Sequence, residues 1–237
     1  MAGVFRFKQF DVDQTGCAMK INTDGVLLAA IAGQPAPKAI LDIGTGTGVI
    51  ALMLAQRFPG AVIDGVEIDQ AAAQTAGSNF SRSVFGPRLR VFHDSFQAFL
   101  NRHGHLKYDL IVSNPPFFIN SLKSPHAKIN TAKHTGEIFF EELVAQCAAH
   151  LAAGGSAWFI LPEGTAGPVK ETAARYGLKP RHWIGVKSFG GHPVHRVIFS
   201  LGFDERTPIE SEVVIYESPK NYSSAFGLLL KDFFTIF

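Results

Sequence analysis

The sequence lacks most features that mark specialised protein classes. It has only two cysteines, Cys17 and Cys147, and neither lies in a CxxC motif or a histidine-rich stretch. This argues against a disulfide framework or a zinc site and favours reduced, buried thiols. No apolar run approaches the ~18 residues of a membrane span, and residues 1–10 lack the apolar core of a signal peptide. We therefore expect a cytoplasmic protein with no metal site and no membrane contact.

Strong charge is also missing, because the formal net charge is +2. This excludes a broadly basic nucleic-acid binder, so any contact with RNA or DNA must come from a local patch. Tyrosine and tryptophan are scarce, with 4 and 2 residues against 21 phenylalanines, which points to packing and ring stacking. A chain of 237 residues that is 46% hydrophobic can bury a sizeable core in one α/β domain or two small ones.

Strands and helices alternate after the breaker Gln34-Pro35-Ala36-Pro37. The apolar patterns predict strands over residues 38–42, 61–68, 89–92, 108–113 and 156–161. Helical spacing predicts the intervening helices over residues 48–58, 70–80, 95–102, 137–151 and 163–176. No helix separates two further β-rich runs, residues 178–186 and 194–203, so we expect them to pair antiparallel. The pattern predicts an α/β fold with a seven-stranded, mostly parallel, doubly wound sheet and an antiparallel final hairpin, which is Rossmann-like in the methyltransferase variant.

The organisation predicts one domain over residues 1–237 in three parts. An N-terminal segment, residues 1–36, contains a short helix over residues 25–31 that Thr23 or Asp24 could cap. The core spans residues 37–205. The remainder, residues 206–237, is expected to form a last strand and a helix packed on the body. We expect a monomer.

A glycine-rich turn follows the first strand of the core, in the sequence Asp42-Ile43-Gly44-Thr45-Gly46-Thr47-Gly48. Glycines there let the backbone approach a ligand, but the spacing lacks the GxGxxG arrangement of a pyrophosphate site. A carboxylate at Asp42 would repel a pyrophosphate, and it suits the cationic amino-acid part of S-adenosylmethionine. The alternative is that Asp42 only caps the following turn. The turn therefore favours S-adenosylmethionine as the cofactor.

Acidic residues also follow the next two strands. Glu67 ends the second strand, where a carboxylate can accept both ribose hydroxyls, and Asp94 follows the third, where it can accept from an adenine amino group. Glu67 could instead be a solvated strand end, and Asp94 or Ser95 could be a helix cap. Carboxylates at three successive strand ends favour a cofactor site.

The sequence Asn114-Pro115-Pro116-Phe117 directly follows the fourth strand. The Asn114 side-chain oxygen and the Pro115 carbonyl can both accept hydrogen bonds from an exocyclic amine, and proline offers no competing N–H. Two acceptors would orient the amine for attack and stabilise the positive charge that develops on it. Phe117 offers a face on which a base can stack. The alternative is a proline-rich turn with a packing phenylalanine.

Together the glycine turn and Asn114-Pro115-Pro116-Phe117 resemble class I methyltransferases of exocyclic amines. A more particular resemblance lies in residues 10–12 and 17–28, and in His195-Arg196-Val197 and residues 230–234. These stretches are similar to the bacterial tRNA1(Val) adenine-N6 methyltransferase family, which modifies the adenine at tRNA position 37. The resemblance implies that residues 1–36 close over the cofactor, with Lys20 and Asp24 as cofactor or lid residues. From the residues alone, Lys20 would be a surface charge and Asp24 a helix cap.

Two groups of basic residues are candidates for RNA contact. The first follows Phe117 and comprises Lys123, His126, Lys128, Lys133 and His134; the second surrounds the late hairpin and comprises Arg181, His182, Lys187, His192, His195 and Arg196. The residues expected to contact RNA are Lys123, Lys128, Lys133, His134 and Arg196. Scattered surface charge is the alternative for both groups. A target base would have to leave its loop to reach Phe117.

The motifs leave other functions open. The same acceptors would fit guanine N2 in ribosomal RNA, adenine N6 in DNA or a glutamine amide in a protein. A non-catalytic RNA-binding protein with this fold would not need an intact Asn114 and glycine turn. A nicotinamide dehydrogenase is disfavoured by the glycine spacing, the late hairpin and the Asn-Pro-Pro-Phe turn.

Overall fold

In the computed structural model, which describes residues 3–116 and 127–237 and only the backbone of residues 127–135, strands and helices alternate along most of the chain. The helices are α1 (Thr23–Ile31), α2 (Val49–Arg57), α3 (Gln70–Arg82), α4 (Phe96–Arg102), α5 (Ala127–His150), α6 (Glu163–Arg175) and α7 (Ser224–Leu230). The strands are β1 (Val4–Arg6), β2 (Asp11–Asp13), β3 (Ala39–Ile43), β4 (Val62–Glu67), β5 (Leu89–His93), β6 (Tyr108–Ser113), β7 (Leu151–Pro162), β8 (Lys179–Lys187), β9 (Arg196–Gly202), β10 (Ile209–Val214), β11 (Tyr216–Ser218) and β12 (Asn221–Tyr222).

The central sheet has the strand order β10-β8-β9-β7-β6-β3-β4-β5. Only β9 runs antiparallel to its neighbours β7 and β8, and the other pairs in this sheet are parallel. The α/β class, the mostly parallel sheet and the antiparallel hairpin are therefore confirmed. The sheet has one strand more than expected, because β10 adds to the free edge of β8 in parallel.

Two apolar layers cover the sheet. One packs α1, α2 and α7 on one face and includes Leu27, Met53 and Phe226. The other packs α4, α5 and α6 on the opposite face and includes Phe99 and Phe159. Phe side chains fill much of both layers, as the composition predicts. Cys17 and Cys147 are free and buried, which confirms the expectation for both thiols.

Several local predictions need correction. Neither Thr23 nor Asp24 caps α1, because Asn22 Oδ1 accepts from the Gly25 amide at 2.9 Å. The helix predicted over residues 137–151 begins ten residues earlier and ends at His150. Strand β7 then starts at Leu151 and contains Gly154 and Gly155. A Cβ at Gly155 would lie 3.0 Å from the carbonyl oxygens of residues 108 and 109, so this glycine permits close strand approach rather than ending a helix.

The N- and C-terminal segments pack on each other beside α1. Strands β1 and β2 form a hairpin that the sequence did not predict, and Phe7 pairs with Phe234 in an isolated bridge. The Phe7 and Phe10 rings stack at 4.5 Å, and Lys8 donates to the carbonyl of Lys231 at 2.6 Å. The C-terminal part contains β10, the β11–β12 hairpin and α7, where one strand and one helix were expected. Within the described residues, no helix is both long and apolar enough to cross a membrane.

Candidate active site at the carboxyl edge of the sheet

The candidate residues lie on one edge of the sheet because parallel strands end together. In the register, Ile43 pairs with both Ser113 and Val66, and Glu67 pairs with His93. The groups that follow these strands therefore line up in the order Asn114, Gly44, Glu67 and Asp94. With strands ~4.8 Å apart, this row spans roughly 14 Å. The prediction that carboxylates occupy three successive strand ends of one edge is confirmed.

The glycine turn has a left-handed backbone at each of its three glycines, with φ of 74° at Gly44, 56° at Gly46 and 83° at Gly48. The reasons for glycine differ along the turn. A Cβ at Gly44 would meet nothing within 4 Å, so the turn faces open space there. A Cβ at Gly48 would lie 2.5 Å from a ring carbon of Phe80, so this position is closed by packing. Gly44 thus borders the open side of the turn, and Gly48 borders the core.

Asp42 is fully buried at the base of the turn. Its Oδ2 accepts from the Thr45 hydroxyl at 2.7 Å, while Oδ1 has no hydrogen-bond partner among the described residues. Burial raises the pKa of Asp42 to about 7; the Thr45 hydroxyl opposes this rise and the nearby Glu67 adds to it. A buried carboxyl with an unused oxygen, next to an open glycine turn, is suited to a cationic ligand.

Glu67 ties the turn to the neighbouring strand. Its two carboxylate oxygens accept from the amides of Gly46 and Asp69, each at 2.9 Å. Each carboxylate oxygen can accept a second hydrogen bond, so these contacts leave capacity for ribose hydroxyls. Asp69 caps α3 by accepting from the Ala72 amide at 2.8 Å.

Asp94 lies beside Glu67, whose carbonyl accepts from the Asp94 amide at 2.9 Å. Its side chain accepts from the Ser95 amide and forms an ion pair with Arg102. Ser95, not Asp94, is the cap of α4, because its hydroxyl accepts from the Ala98 amide. The Asp94 side chain therefore does not cap α4, although its carboxylate already forms an ion pair with Arg102.

Asn114 is half-buried, Pro115 is buried and Pro116 is exposed. The hydroxyl of Ser113 donates to the Ile43 carbonyl at 2.9 Å and joins the ends of β6 and β3. This bond fixes the start of the Asn114 turn relative to the glycine turn. Phe117, Lys123 and His126 lie outside the described residues. Lys128, Lys133 and His134 lie on α5, in the part where only the backbone is described.

The first turn of α1 lies against Asn114, a contact that the sequence did not indicate. A Cβ at Gly25 would stand 3.7 Å from Asn114 Nδ2, an ordinary van der Waals distance, so this turn of the helix lies next to the Asn114 side chain. Asp24, in the same turn, accepts from Arg196 Nε at 2.8 Å. Arg196 begins β9, whose amino end lies at the same edge because β9 is antiparallel. The edge thus brings together Asp24, predicted at the cofactor, and Arg196, predicted at RNA, while Lys20 is exposed.

The grouping of Arg181 and His182 with the other hairpin residues at the substrate side is wrong. Both lie near the start of β8, at the opposite edge of the sheet from Lys187 and His195. Arg181 is buried, donates to the carbonyl of Gly155 and pairs with Asp204. The ring of His182 stacks on Trp158. These side chains hold β8 to its neighbours, and the strand length separates them from the site.

Thr45 is a further residue of the candidate site, and no sequence motif pointed to its side chain. Its hydroxyl is the hydrogen-bond donor to Asp42, and its side chain occupies space that a Cβ at Gly65 would take, with atoms 3.0–3.1 Å away. A hydroxyl residue three positions after a buried carboxylate was the available signal.

Comparison with known proteins shows the family. The Methyltransferase small domain matches residues 17–168. The tRNA1(Val) (adenine(37)-N6)-methyltransferase of Pedobacter heparinus is 48% identical over 237 residues, covering 100% of both chains. The protein of the same name from Bacteroides fragilis is 40% identical over 230 residues, covering 97% of each.

Solved structures support the fold. The crystal structure of a predicted O-methyltransferase from Agrobacterium tumefaciens superimposes with a TM-score of 0.69 at 16% identity, covering 89% of this chain and 96% of that one. The sheet order, the glycine turn and full-length relatives at this identity lead to one assignment. The chain belongs to the tRNA1(Val) (adenine(37)-N6)-methyltransferase family.

Proposed function

We propose that this protein transfers a methyl group from S-adenosylmethionine to the exocyclic N6 of adenine 37 in the valine tRNA species 1. The observation that carries the proposal is the register that puts Asn114-Pro115 and the glycine turn on adjacent strand ends, joined by the Ser113–Ile43 hydrogen bond. The names of full-length relatives support the tRNA and the position. We expect the enzyme to act in the cytoplasm as a monomer.

The residues at the edge fit the cofactor part by part. Asp42 offers the amino-acid ammonium group a buried oxygen that has no hydrogen-bond partner in the part of the chain that the structure describes. The open side of Gly44 leaves room for a ligand against the backbone. Glu67 retains acceptor capacity for the ribose, and Asp94 lies one strand further for the adenine amino group. The row of acidic groups disfavours a pyrophosphate cofactor, because like charges would repel. When bound, S-adenosylmethionine supplies a methyl group on a positively charged sulfur.

Asn114 and Pro115 are proposed to hold the attacking amine. The Asn114 side-chain oxygen and the Pro115 carbonyl each accept a hydrogen bond from one N–H group of the amine. The nitrogen lone pair is thereby turned toward the cofactor side. As the nitrogen becomes positively charged, its hydrogen bonds to both acceptors strengthen, which lowers the activation barrier of methyl transfer. The buried ring of Pro115 keeps water from that side of the turn. Phe117 completes the proposed site by stacking on the adenine.

The first turn of α1 is proposed to close the site. The Asp24–Arg196 ion pair joins this turn to β9, and their side chains are only 16% and 27% exposed. The pair holds Gly25 against Asn114, so it acts on the reaction by positioning the turn. Lys20, in the preceding segment, is available for the cofactor or for phosphate. Lys123, Lys128, Lys133, His134 and Arg196 remain proposed RNA contacts.

A direct test uses purified protein, radiolabelled S-adenosylmethionine and total RNA from a strain without this enzyme, followed by nucleoside mass spectrometry. We expect label in N6-methyladenosine of the tRNA fraction, with valine tRNA species 1 as the labelled species. Label in N2-methylguanosine, in DNA or in protein would replace the proposed substrate and keep the chemistry. Absence of cofactor binding would refute the proposal as a whole.

A further inference from the structure

Asn79, a buried residue of α3, connects the N-terminal segment to the glycine turn. Its Nδ2 donates to the carbonyls of Asp13 at 2.9 Å and Thr47 at 2.8 Å. Its Oδ1 accepts from the Asp13 amide and from Arg82, each at 2.9 Å. These bonds use both N–H groups and both lone pairs of the side-chain amide. Asn79 therefore has no hydrogen-bonding capacity left for a ligand, and it can act only through the groups that it holds.

On one side, Asn79 fixes a peptide group of the glycine turn. The peptide between Thr47 and Gly48 is held at both ends, because its carbonyl accepts from Asn79 and its N–H donates to the Thr45 carbonyl at 2.8 Å. The Thr45 hydroxyl in turn donates to the carboxylate of Asp42. A short series of hydrogen bonds thus leads from Asn79 to the carboxyl group proposed for the cofactor.

On the other side, Asn79 holds the end of β2. With Asp13 it forms one bond to and one bond from the backbone, as a neighbouring strand would. From Asp13 the chain runs to the first turn of α1, which lies against Asn114. We call residues 13–22 the strap. Its position is therefore linked by a single side chain to the glycine turn.

The strap follows α3 toward the carboxylate proposed for the ribose. The Thr75 hydroxyl donates to the Thr15 carbonyl at 2.7 Å. Thr75 precedes Asn79 by four residues, so both side chains lie on one face of α3. Burial raises the pKa of the Cys17 thiol, and the nearby Glu67 carboxylate adds to this rise. The strap thus passes beside Glu67 on its way to the amine site.

From these contacts we propose that Asn79 is a positioning residue that couples the strap to the glycine turn, so that each holds the other in the arrangement that binds the cofactor. The inference rests on the proposed function, because it takes this edge to be the site of S-adenosylmethionine. Coupling of this kind is reciprocal: a ligand that fixes the turn also fixes the strap, and a fixed strap raises the affinity for that ligand. The chemistry at Asn114 does not depend on the link, since the Asp24–Arg196 pair still holds the first turn of α1.

The first test compares Asn79→Ala with Ser156→Ala. We expect Asn79→Ala to raise both the Kd and the KM for S-adenosylmethionine about tenfold, within the usual range for two coupled sites. The kcat at saturating cofactor and the KM for tRNA should stay at wild-type values. A variant that is only less stable would instead lose active enzyme, and thus apparent kcat, with no change in KM or Kd.

Ser156→Ala is the matched control, because it removes a buried polar side chain away from the carboxyl edge. The Ser156 hydroxyl donates to the Gly33 carbonyl at 3.2 Å and accepts from the Trp158 indole at 3.0 Å. Ser156 pairs with Leu110, near the amino end of β6. We expect this variant to lower the midpoint of urea denaturation and to leave both constants for the cofactor unchanged.

Hydrogen exchange measures the coupling without any reaction. S-adenosylhomocysteine, which carries no methyl group to transfer, serves as the probe, and mass spectrometry follows the backbone amides of the strap. In the wild type the saturating probe should slow their exchange; in Asn79→Ala the strap should exchange at the same rate with and without it. Asn79→Asp is the second variant if Asn79→Ala does not fold, because it keeps the acceptor for Asp13 and loses both N–H donors.

The outcomes separate this inference from the proposed function. Wild-type Kd for the cofactor in the Asn79 variant, or a strap that the probe slows as in the wild type, would overturn the inference even if methylation of tRNA is established. A wild-type strap that does not respond to a bound probe would overturn it too. Failure of the wild type to bind the probe at all would refute the proposed function, and this inference with it.

Discussion

Stability and cofactor binding favour opposite protonation states of the buried Asp42 carboxyl, and Asp42→Asn distinguishes the two effects. Burial raises its pKa from 3.8 to about 7 in the folded, cofactor-free protein. Between these values the folded state holds a proton that the unfolded state has lost. The free energy of unfolding therefore falls as pH rises through this range and is constant above about pH 7. At about 1.36 kcal/mol per pKa unit, the full loss is roughly 4 kcal/mol.

Asparagine at this position keeps an oxygen for the Thr45 hydroxyl and cannot ionise. We expect Asp42→Asn to stabilise the cofactor-free protein, by about 2 to 3 kcal/mol more at pH 8 than at pH 5, because only the wild type loses stability over the two pH units between pH 5 and pH 7. Urea denaturation of both proteins at pH 5, 6, 7 and 8 measures this difference. The same stabilisation at every pH, or a loss of stability at pH 8, would refute the reasoning.

Asp64→Asn is the matched control, because Asp64 is a buried carboxylate on the adjacent strand that has partners for both oxygens. It accepts from Arg90 at 2.7 Å and from the Tyr108 hydroxyl at 2.9 Å. Its replacement should destabilise the protein, since the buried amide would have to turn its nitrogen toward one of two hydrogen-bond donors, Arg90 or the Tyr108 hydroxyl. The two substitutions should thus have opposite signs at pH 8.

Cofactor affinity supplies the second half of the test. An ammonium group next to Asp42 favours the carboxylate, so wild-type affinity for S-adenosylmethionine should fall about tenfold per pH unit below pH 7. Asp42→Asn should bind weakly at all pH values and lose this dependence. Calorimetric titrations at pH 5.5, 6.5 and 8 would show it, and an unchanged affinity in the variant would remove Asp42 from the cofactor site.

Three further outcomes follow from the geometry. Asn114→Ala should lower kcat by about 10²- to 10³-fold, as for the loss of one transition-state hydrogen bond, while calorimetry shows unchanged cofactor affinity; methyl transfer near the wild-type rate would exclude Asn114. Gly48→Ala should lower the free energy of unfolding by about 3 kcal/mol, because its Cβ clashes with Phe80 and its backbone is strained. Gly44→Ala should lower it by only about 1 to 2 kcal/mol, from backbone strain alone, because its Cβ enters open space. Equal urea midpoints for the two variants would contradict this. Asp24→Asn and Arg196→Gln should each lower kcat/KM, and a double-mutant cycle should show that the double variant loses no more than either single variant. Additive losses in kcat/KM would mean that the pair does not act as one unit.

The sequence was most informative where local physics decides the structure. The apolar runs located the core strands to within a few residues, since a strand covered on both faces must be apolar. The absence of a helix between the last two β-rich runs identified the antiparallel hairpin. The glycine turn and Asn114-Pro115 were recognisable because backbone freedom and a missing N–H are properties of the residues themselves.

Features that depend on distant contacts were not predictable. Gly25 lies against Asn114, and Asp24 pairs with Arg196, which is 172 positions away. Arg181 and Arg196 were grouped as basic residues of one hairpin, although the length of β8 puts them at opposite edges of the sheet. The cap of α1 was assigned to Thr23 or Asp24, because three adjacent residues all have capping side chains and only the backbone path selects Asn22.

By itself the sequence determined the class of fold, the edge that carries the site and the residue types available for chemistry, because these follow from periodicity and from single residues. Only the tertiary structure decided which groups meet. Burial, and not the identity of the residue, raises the pKa of Asp42, and among residues 3–116 and 136–237 no side chain or amide pairs with one of its oxygens. The packing of the N-terminal hairpin and the C-terminal segment on each other beside α1 is likewise specified by no local pattern in either segment.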